Sequence, residues 1–132
     1  MAEALTDAEL DFLRSILDLA REGDTARLAE AVDGGVPVNL TSGAGDSLLI
    51  LAAYHDHPES VRALLDRGAD TARVNDRGQT ALGAAVFRRS TESVTALLAA
   101  GADPALGGRS ALDIARFFDL PDMLELLTAD RG

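Results

Sequence analysis

The residues best suited to metal chemistry lie together near the middle of the chain, where His55, Asp56 and His57 are consecutive. Imidazole nitrogens and carboxylate oxygens are ligands that zinc and related ions use in proteins. The spacing nevertheless argues against a metal site, and no acid or histidine elsewhere clearly completes a set of ligands. We therefore expect no bound metal and no other cofactor.

A glycine-rich segment at residues 43–47 (GAGDS) is similar in composition to loops that bind phosphate through backbone amides. No buried strand precedes it, and the chain contains no lysine, which excludes a Walker-type loop and Schiff-base catalysis. The absence of cysteine excludes disulfides, thiolate zinc sites and cysteine nucleophiles. Nothing pairs the acidic residues with a nucleophile or a pocket, so we predict that the protein is not an enzyme. A metal-dependent or other enzyme is the remote alternative.

The charge of the chain bears on its partners. All 12 basic residues are arginine and 22 residues are acidic, which gives a formal net charge of −10. This charge opposes attraction to phosphate, so we expect no nucleic acid and no anionic membrane as a partner. A basic or neutral protein fits the overall charge better.

Length and termini point to one cytoplasmic domain. A chain of 132 residues is long enough for one domain and short for two. No run approaches the roughly 18 apolar residues that cross a bilayer. Residues 1–4 (MAEA) carry an acid where a signal peptide carries a base. The exclusive use of arginine, together with abundant Ala, Gly, Asp and Leu, is typical of a high-GC bacterium.

The elements that position any site come from an internal repeat. Residues 64–70 (LLDRGAD) are nearly repeated as residues 97–103 (LLAAGAD), and Gly35, Gly68 and Gly101 are each 33 residues apart. With a period of this size, each unit is a small supersecondary element that cannot bury its apolar face alone. The sequence therefore predicts stacked units with a shared core, which favours binding over catalysis.

Each unit is predicted to contain two antiparallel helices. In the second unit Ser47 suits an N-cap, Pro58 suits the start of the second helix, and Gly68 suits a left-handed C-terminal cap. Residues 6–9 (TDAE) form a capping box before a longer first helix. The predicted helical segments are 47–55, 58–65, 80–86, 90–98, 110–115 and 119–127, with a helix that ends at Val32 in the first unit. The helical spacing predicts two buried stripes, Leu49, Ala52 and Ala53 on one helix and Val61, Leu64 and Leu65 on the next.

Three stretches rich in turn residues lie between the units, at 39–46, 72–79 and 105–109. Their composition predicts hairpin fingers that project from the helices. The interval from Gly78 to Gly108 is 30 residues rather than 33, so the last finger is expected to be shorter by about three residues.

These units resemble the ankyrin repeat, which runs Gly-x-Thr-Pro-Leu-His-x-Ala-Ala, then Gly-His-x-Glu-Val-Val, then Leu-Leu-x-x-Gly-Ala-Asp. The second unit matches through Gly45, Ser47, Leu49, Ala52, Ala53, His57, Glu59, Val61, Leu64, Leu65, Gly68, Ala69 and Asp70. The third matches through Gly78, Thr80, Leu82, Ala85, Glu92, Val94, Leu97, Leu98, Gly101, Ala102 and Asp103. The resemblance implies an all-α repeat solenoid of about four stacked helix-turn-helix units joined by hairpin fingers. We divide this single domain into an N-terminal capping unit (1–39), two repeats (40–72 and 73–105) and a C-terminal capping unit (106–132).

The chain departs from the family pattern at the first helices. The family's Pro is replaced by Leu48, Ala81 and Ala111, and its His by Ile50, Gly83 and Asp113. In the family that His ties adjacent repeats together, so its loss implies weaker polar coupling and modest thermal stability. Gly83 in a helix is expected to cost about 1 kcal/mol relative to Ala. His57 matches a family turn in which the side chain caps the second helix.

The resemblance implies that a partner protein binds on the concave face, through the finger tips and the exposed positions of the first helices. The two positions after each Ala-Ala pair belong to that face, and three units place an aromatic there: Tyr54, Phe87 and Phe117. With the finger residues beside them, the predicted partner-binding residues are Arg21, Asp46, Tyr54, His55, Asp76, Arg77, Gln79, Phe87, Arg88, Arg109, Phe117 and Phe118. This face is less acidic than the whole chain, which leaves open a partner with acidic and apolar residues.

Two alternatives stay open at this point. The aromatic column is either an exposed hot spot or ordinary packing, in which Phe87 and Phe117 tuck against the next unit or Phe117 and Phe118 seal the terminal core. The protein is expected to be a monomer when free, but a structural role through self-association at the C-terminal end is the alternative function. The residues that would mediate it are Leu120, Met123, Leu124 and Leu127.

Overall fold

The structure, a computed structural model, describes residues 5–129, which contain eight α-helices and no strand longer than an isolated bridge. They pair in chain order, so four helix-turn-helix units follow one another, as the sequence predicts. The helices are α1 (Asp7–Glu22), α2 (Thr25–Asp33), α3 (Leu48–Tyr54), α4 (Pro58–Asp66), α5 (Ala81–Phe87), α6 (Thr91–Ala99), α7 (Ala111–Phe117) and α8 (Pro121–Thr128). The exact boundaries between units, at residues 39, 72 and 105, stay a prediction.

The helices begin where the sequence provides a cap. Thr6 and Glu9 form the predicted capping box of α1. Ser47, Thr80 and Ser110 each precede one of the short first helices, and each hydroxyl accepts a hydrogen bond from the amide three residues later. Such caps satisfy amides that have no partner inside the helix.

The helices form two layers. In one layer α1, α3, α5 and α7 contact each other in sequence order, and in the other α2, α4, α6 and α8 do the same. The helices α3 and α5 are buried from their first residue to the one before their last. The predicted stripe of Leu49, Ala52 and Ala53 is therefore too narrow, because α3 contacts α1, α4 and α5 and is covered on several sides.

The loops that precede α3, α5 and α7 carry the predicted fingers. Loops 34–47 and 67–80 have equal length and loop 100–110 is three residues shorter, as the interval between Gly78 and Gly108 predicts. The first two loops each close on a short turn, Ser42 N to Asp46 O at 2.9 Å and Asn75 N to Gln79 O at 3.0 Å. The hairpins are rudimentary, because the bridge between Thr41 and Ser47 is their only β pairing within residues 5–129.

One predicted role of His57 is wrong. Its side chain does not cap α4. Instead Nε2 lies 2.7 Å from the carbonyl oxygen of Arg21, in the last turn of α1, where helical carbonyls lack partners. Gly23 has the left-handed φ of 75° beside this contact, and a Cβ at Gly23 would overlap the His57 ring. His57 therefore ties the second unit to the first.

The C-terminal residues proposed for self-association belong mainly to the core. Met123 and Leu127 are buried in the main hydrophobic cluster, and Leu120 and Leu124 are partly buried against it. They do not form a free apolar patch, because α8 turns them towards α6 and α7.

Candidate protein-binding face

The last residues of α3, α5 and α7 are aromatic and exposed to solvent. Tyr54, Phe87 and Phe117 expose 38%, 44% and 81% of their surface, and Phe118 exposes 44%. The rings are therefore not buried, although Phe87 does lie against Phe118 of the next unit, in part as the packing alternative expects. We call Tyr54, Phe87, Phe117 and Phe118 the aromatic row.

The rings of the aromatic row touch in sequence. Tyr54 and Phe87 are stacked, with centroids 6.2 Å apart and planes 7° apart. Phe87 then meets Phe118 edge to face at 5.8 Å, and Phe118 meets Phe117 at 4.9 Å. The predicted column ran through Phe117 instead. Neighbouring residues on a helix point about 100° apart, so the rotation of α7 relative to α5 decides which ring faces Phe87.

The aromatic row borders a groove between the helix ends and the fingers. The groove consists of two hollows of about 630 Å³ and about 270 Å³, which share Tyr54, Arg77 and Gln79. The larger is lined by Tyr54, Arg77, Gln79, Gly83, Ala84, Phe87, Gly108, Arg109, Asp113, Ile114, Phe117 and Phe118. The smaller is lined by Arg21, Asp46, Ile50, Leu51, Tyr54, His55, Arg77 and Gln79.

Ten of the twelve predicted binding residues line this groove. The other two are Arg88 and Asp76. Arg88 places its guanidinium carbon 6.0 Å from the centre of the Tyr54 ring, a cation–π distance. Asp76 is exposed on its finger and lines neither hollow, although its amide donates to Ala44 O at 3.0 Å.

Sequence reasoning missed several groove residues. Ile50, Gly83 and Asp113 line the groove, and they occupy the positions at which the sequence departs from the family's His. That shared position was the signal that could have identified them. Ile114 was also missed, and it gives the larger hollow an aliphatic surface beside the exposed rings.

A buried asparagine holds the first two fingers in place. Asn75 Nδ2 donates to Asp46 at 2.7 Å and to Gln79 Oε1 at 2.9 Å. Its Oδ1 accepts from the backbone amides of Arg77 and Gln79 at 3.0 and 2.9 Å. Asn75 thus orients three groove residues and joins one finger to the next.

The polar groups of the smaller hollow have defined environments. Burial lowers the pKa of the His55 imidazole, and the neighbouring His57 and Arg21 act in the same direction. These effects favour the neutral form of the ring, which lies edge to face with Tyr54 at 5.3 Å. Arg21 forms an exposed ion pair with Asp18 at 2.6 Å.

The groups first considered for chemistry are engaged in structural contacts. His57 Nε2 is bonded to the Arg21 carbonyl, and the Ser47 hydroxyl of the glycine-rich segment caps α3. Within the described range, no three histidine or acidic residues are grouped so as to hold a metal ion. None of the helices over residues 5–129 is long and apolar enough to span a membrane.

Comparisons with known proteins agree with this architecture. The family model for ankyrin repeats (3 copies) matches residues 16–107 and 49–132. A Pseudomonas aeruginosa protein named as an ankyrin repeat protein is 46% identical over 52 residues, which are 39% of this chain and 30% of that protein. The chain thus matches less than a third of that relative's length. With the four helix pairs and these matches, the chain belongs to the ankyrin repeat family.

Proposed function

We propose that this protein is an interaction module that binds a partner protein on the groove and the aromatic row. Ankyrin repeats are in general protein–protein interaction modules. The observation that carries the proposal for this chain is the continuous row of exposed rings along one groove. The row joins the second, third and fourth units, so one partner segment can contact all three.

The physical basis is the apolar area that a partner removes from water. Aromatic side chains bury large areas with few rotatable bonds, and aromatic and arginine residues are enriched among interface hot spots. The chain has one Tyr and four Phe, and four of these five aromatic residues form the row. Stacked units hold the row in place before binding, so little ordering entropy opposes association.

The proposal is tested by affinity capture with matched variants. We would compare the wild-type chain with a Tyr54→Ser/Phe87→Ser variant, using lysate of the source cells and identification of the retained proteins. Phe12→Ser is the control, because Phe12 is also an exposed aromatic, 54% accessible, but lines neither hollow. Circular dichroism and thermal melts would first establish that both variants are folded.

We expect a protein that the wild type and Phe12→Ser retain and the double variant loses. Identical captures by all three chains would place the interface elsewhere and contradict the proposal. A large fall in melting temperature for the double variant would show instead that the rings stabilise the fold. We also propose that the free chain is a monomer, and a mass that rises with concentration in light scattering would contradict this.

A further inference from the structure

We infer that the partner segment in the groove is acidic, with an apolar side chain seated in the larger hollow and carboxylates on Arg77 and Arg109. This inference rests on the proposed function and specifies the chemistry of the partner. It differs from what the net charge of −10 alone favours, which is a basic or neutral partner. The groove contains arginines that have no carboxylate partner within the described residues, and these favour an acidic segment.

The arginines of the chain fall into two groups. Six of those in the described residues have a carboxylate within ion-pair distance: Arg14, Arg21, Arg27, Arg62, Arg67 and Arg73. Across residues 5–129, Arg77 and Arg109 have no such partner, and both line the larger hollow. Their guanidinium groups can therefore donate hydrogen bonds to a partner's carboxylates. Arginine binds carboxylates in a planar, two-bonded geometry that gives both strength and direction.

The acidic residues that line the groove form no ion pair with these arginines. Asp46 lies in the smaller hollow, where its Oδ1 accepts a hydrogen bond from Asn75 Nδ2 at 2.7 Å. Asp113 lines the larger hollow, yet it forms no ion pair with Arg109 or Arg77. Arg88 adds a further positive charge, held near the Tyr54 ring rather than near an acid.

Screening by salt determines whether the net charge of the chain or the charges in the groove act more strongly on a bound segment. At physiological ionic strength the Debye length is about 8 Å, so acidic groups on remote helices act weakly on a bound segment. Direct contacts with Arg77 and Arg109 are screened much less. The negative molecule slows the approach of an acidic segment, whereas the groove determines how long the segment stays bound.

The larger hollow also defines the apolar part of the segment. Ala84, Ile114, Phe87 and Phe117 supply apolar surface along the same hollow that holds both arginines. A volume of about 630 Å³ accommodates a large aliphatic or aromatic side chain. The inferred partner segment therefore contains a leucine or an aromatic residue that is flanked by glutamate or aspartate.

The test is selection from a phage-displayed library of random 12-residue peptides against the immobilised full-length chain. We expect enriched peptides to combine net negative charge with a central leucine or aromatic residue. The affinity of a synthetic copy should fall at least about tenfold in Arg77→Ala/Arg109→Ala, and it should weaken as salt is raised. Arg89→Ala/Arg116→Ala is the charge-matched control, because these arginines are also exposed and unpaired but line neither hollow.

The outcomes separate this inference from the proposed function. If the selected peptides are neutral or basic and Tyr54→Ser/Phe87→Ser no longer binds them, the inference of an acidic segment is overturned. The groove would then still be the interface. No enrichment, or equal losses in the two arginine variants, would also overturn the inference. A labelled single-stranded oligonucleotide that binds more tightly than the peptide, and through the same arginine pair, would replace it with nucleic-acid binding. Peptides that the aromatic double variant binds normally would count against the proposed function itself.

Discussion

The first and last junctions between helix pairs are built from different interactions. At the first, where α1 and α2 meet α3 and α4, side chains form hydrogen bonds across the units. His57 bonds the Arg21 carbonyl, and Thr25 Oγ1 lies 2.7 Å from Ser60 Oγ. Arg67 donates from Nε and Nη2 to both carboxylate oxygens of Asp33, at 2.9 and 3.1 Å.

The last junction, where α5 and α6 meet α7 and α8, is mainly apolar. Between residues 73–105 and 106–126, three hydrogen bonds join backbone groups: Arg109 N to Gly78 O at 3.0 Å, Leu112 N to Pro104 O at 3.1 Å and Leu106 N to Asp103 O at 3.2 Å. The remaining contact is through the shared core, in which Ala115 and Met123 are buried. The aromatic contact between Phe87 and Phe118 spans the same junction at the surface.

This difference shows that the side-chain polar contacts of the first junction and the larger hollow of the proposed binding groove lie at different places in the array. In a repeat protein, stability is approximately the sum of unit and neighbour terms. The side chains that form hydrogen bonds across the first junction do not line the larger hollow. Between residues 73–105 and 106–126, no side-chain hydrogen bond or ion pair crosses the last junction, which borders that hollow, so a partner bound as proposed would bridge a mainly apolar junction. Binding is therefore expected to stabilise the fourth unit most.

The substitution expected to act most strongly at the first junction is Gly23→Ala. An alanine at φ 75° costs about 1–2 kcal/mol, and its Cβ displaces the His57 ring, whose lost hydrogen bond costs about 1 kcal/mol more. Urea unfolding should therefore show a loss of about 2–3 kcal/mol in the free energy of unfolding. In a His57→Ala background, Gly23→Ala should lower the free energy of unfolding only by the cost of the left-handed backbone, about 1–2 kcal/mol. Equal losses of unfolding free energy in the two backgrounds would show that the alanine Cβ does not act by displacing the His57 ring.

A pair of serines compares the first junction with the next. Ser60 and Ser93 are both fully buried and lie 33 residues apart, but Ser60 pairs with Thr25 while the Ser93 hydroxyl has no hydrogen-bond partner. The position equivalent to Thr25 is Pro58, which has no hydroxyl. We expect Ser60→Ala to lower the free energy of unfolding by about 1–2 kcal/mol and Ser93→Ala to leave it unchanged or raise it. Equal losses in urea unfolding would contradict this account of the two junctions.

The sequence identified the repeat, the helix caps and the shortened finger because each depends on local spacing. Thr6, Ser47 and Pro58 act within one turn of their own helix, so their roles can be derived without a neighbour. The equivalent positions of the aromatic residues Tyr54, Phe87 and Phe117 also followed from the register of the units, whereas their exposure stayed open until the structure showed it. Which of Phe117 and Phe118 meets Phe87 was not predictable, because that depends on the rotation of one helix against another.

Contacts between units were the part that the sequence pattern did not contain. The missing family His implied weaker polar coupling, which stays a prediction, and at the first junction His57, Ser60 and Arg67 form bonds from other positions. For Gly83, the sequence predicts only a loss of helix stability relative to alanine. A Cβ there would approach Arg109 O and the Ile114 side chain to 3.2 Å, so the glycine also allows α7 to pack closely. Such contacts depend on how two units are placed, which a single-unit pattern does not contain.

A smaller effect is expected at the left-handed residue that follows the first helix of a unit. Gly23 follows α1 directly, whereas Arg89, which lies two 33-residue periods later, is the second residue after α5 and has φ 58°. Arg89→Gly should raise the free energy of unfolding by about 0.5–1 kcal/mol, because relief of the backbone cost exceeds the added entropy of the unfolded chain. Asp119→Gly, at φ 53°, should gain less because aspartate tolerates this conformation better. A melting temperature of Arg89→Gly at or below the wild-type value would contradict this.

The smallest effect concerns the ion pair of the first junction. The hydrogen bonds from Arg67 lower the pKa of the exposed Asp33 carboxyl below its ordinary value of 3.8. A carboxyl with a lowered folded pKa stabilises the fold fully above its unfolded pKa, and this contribution is lost as the pH falls through the folded value. The wild type should therefore exceed Asp33→Asn in stability at pH 6, and the difference should disappear in strong acid. In an Arg67→Ala background Asp33→Asn should have no further effect, and a persistent difference there would show that Asp33 stabilises the junction through other contacts.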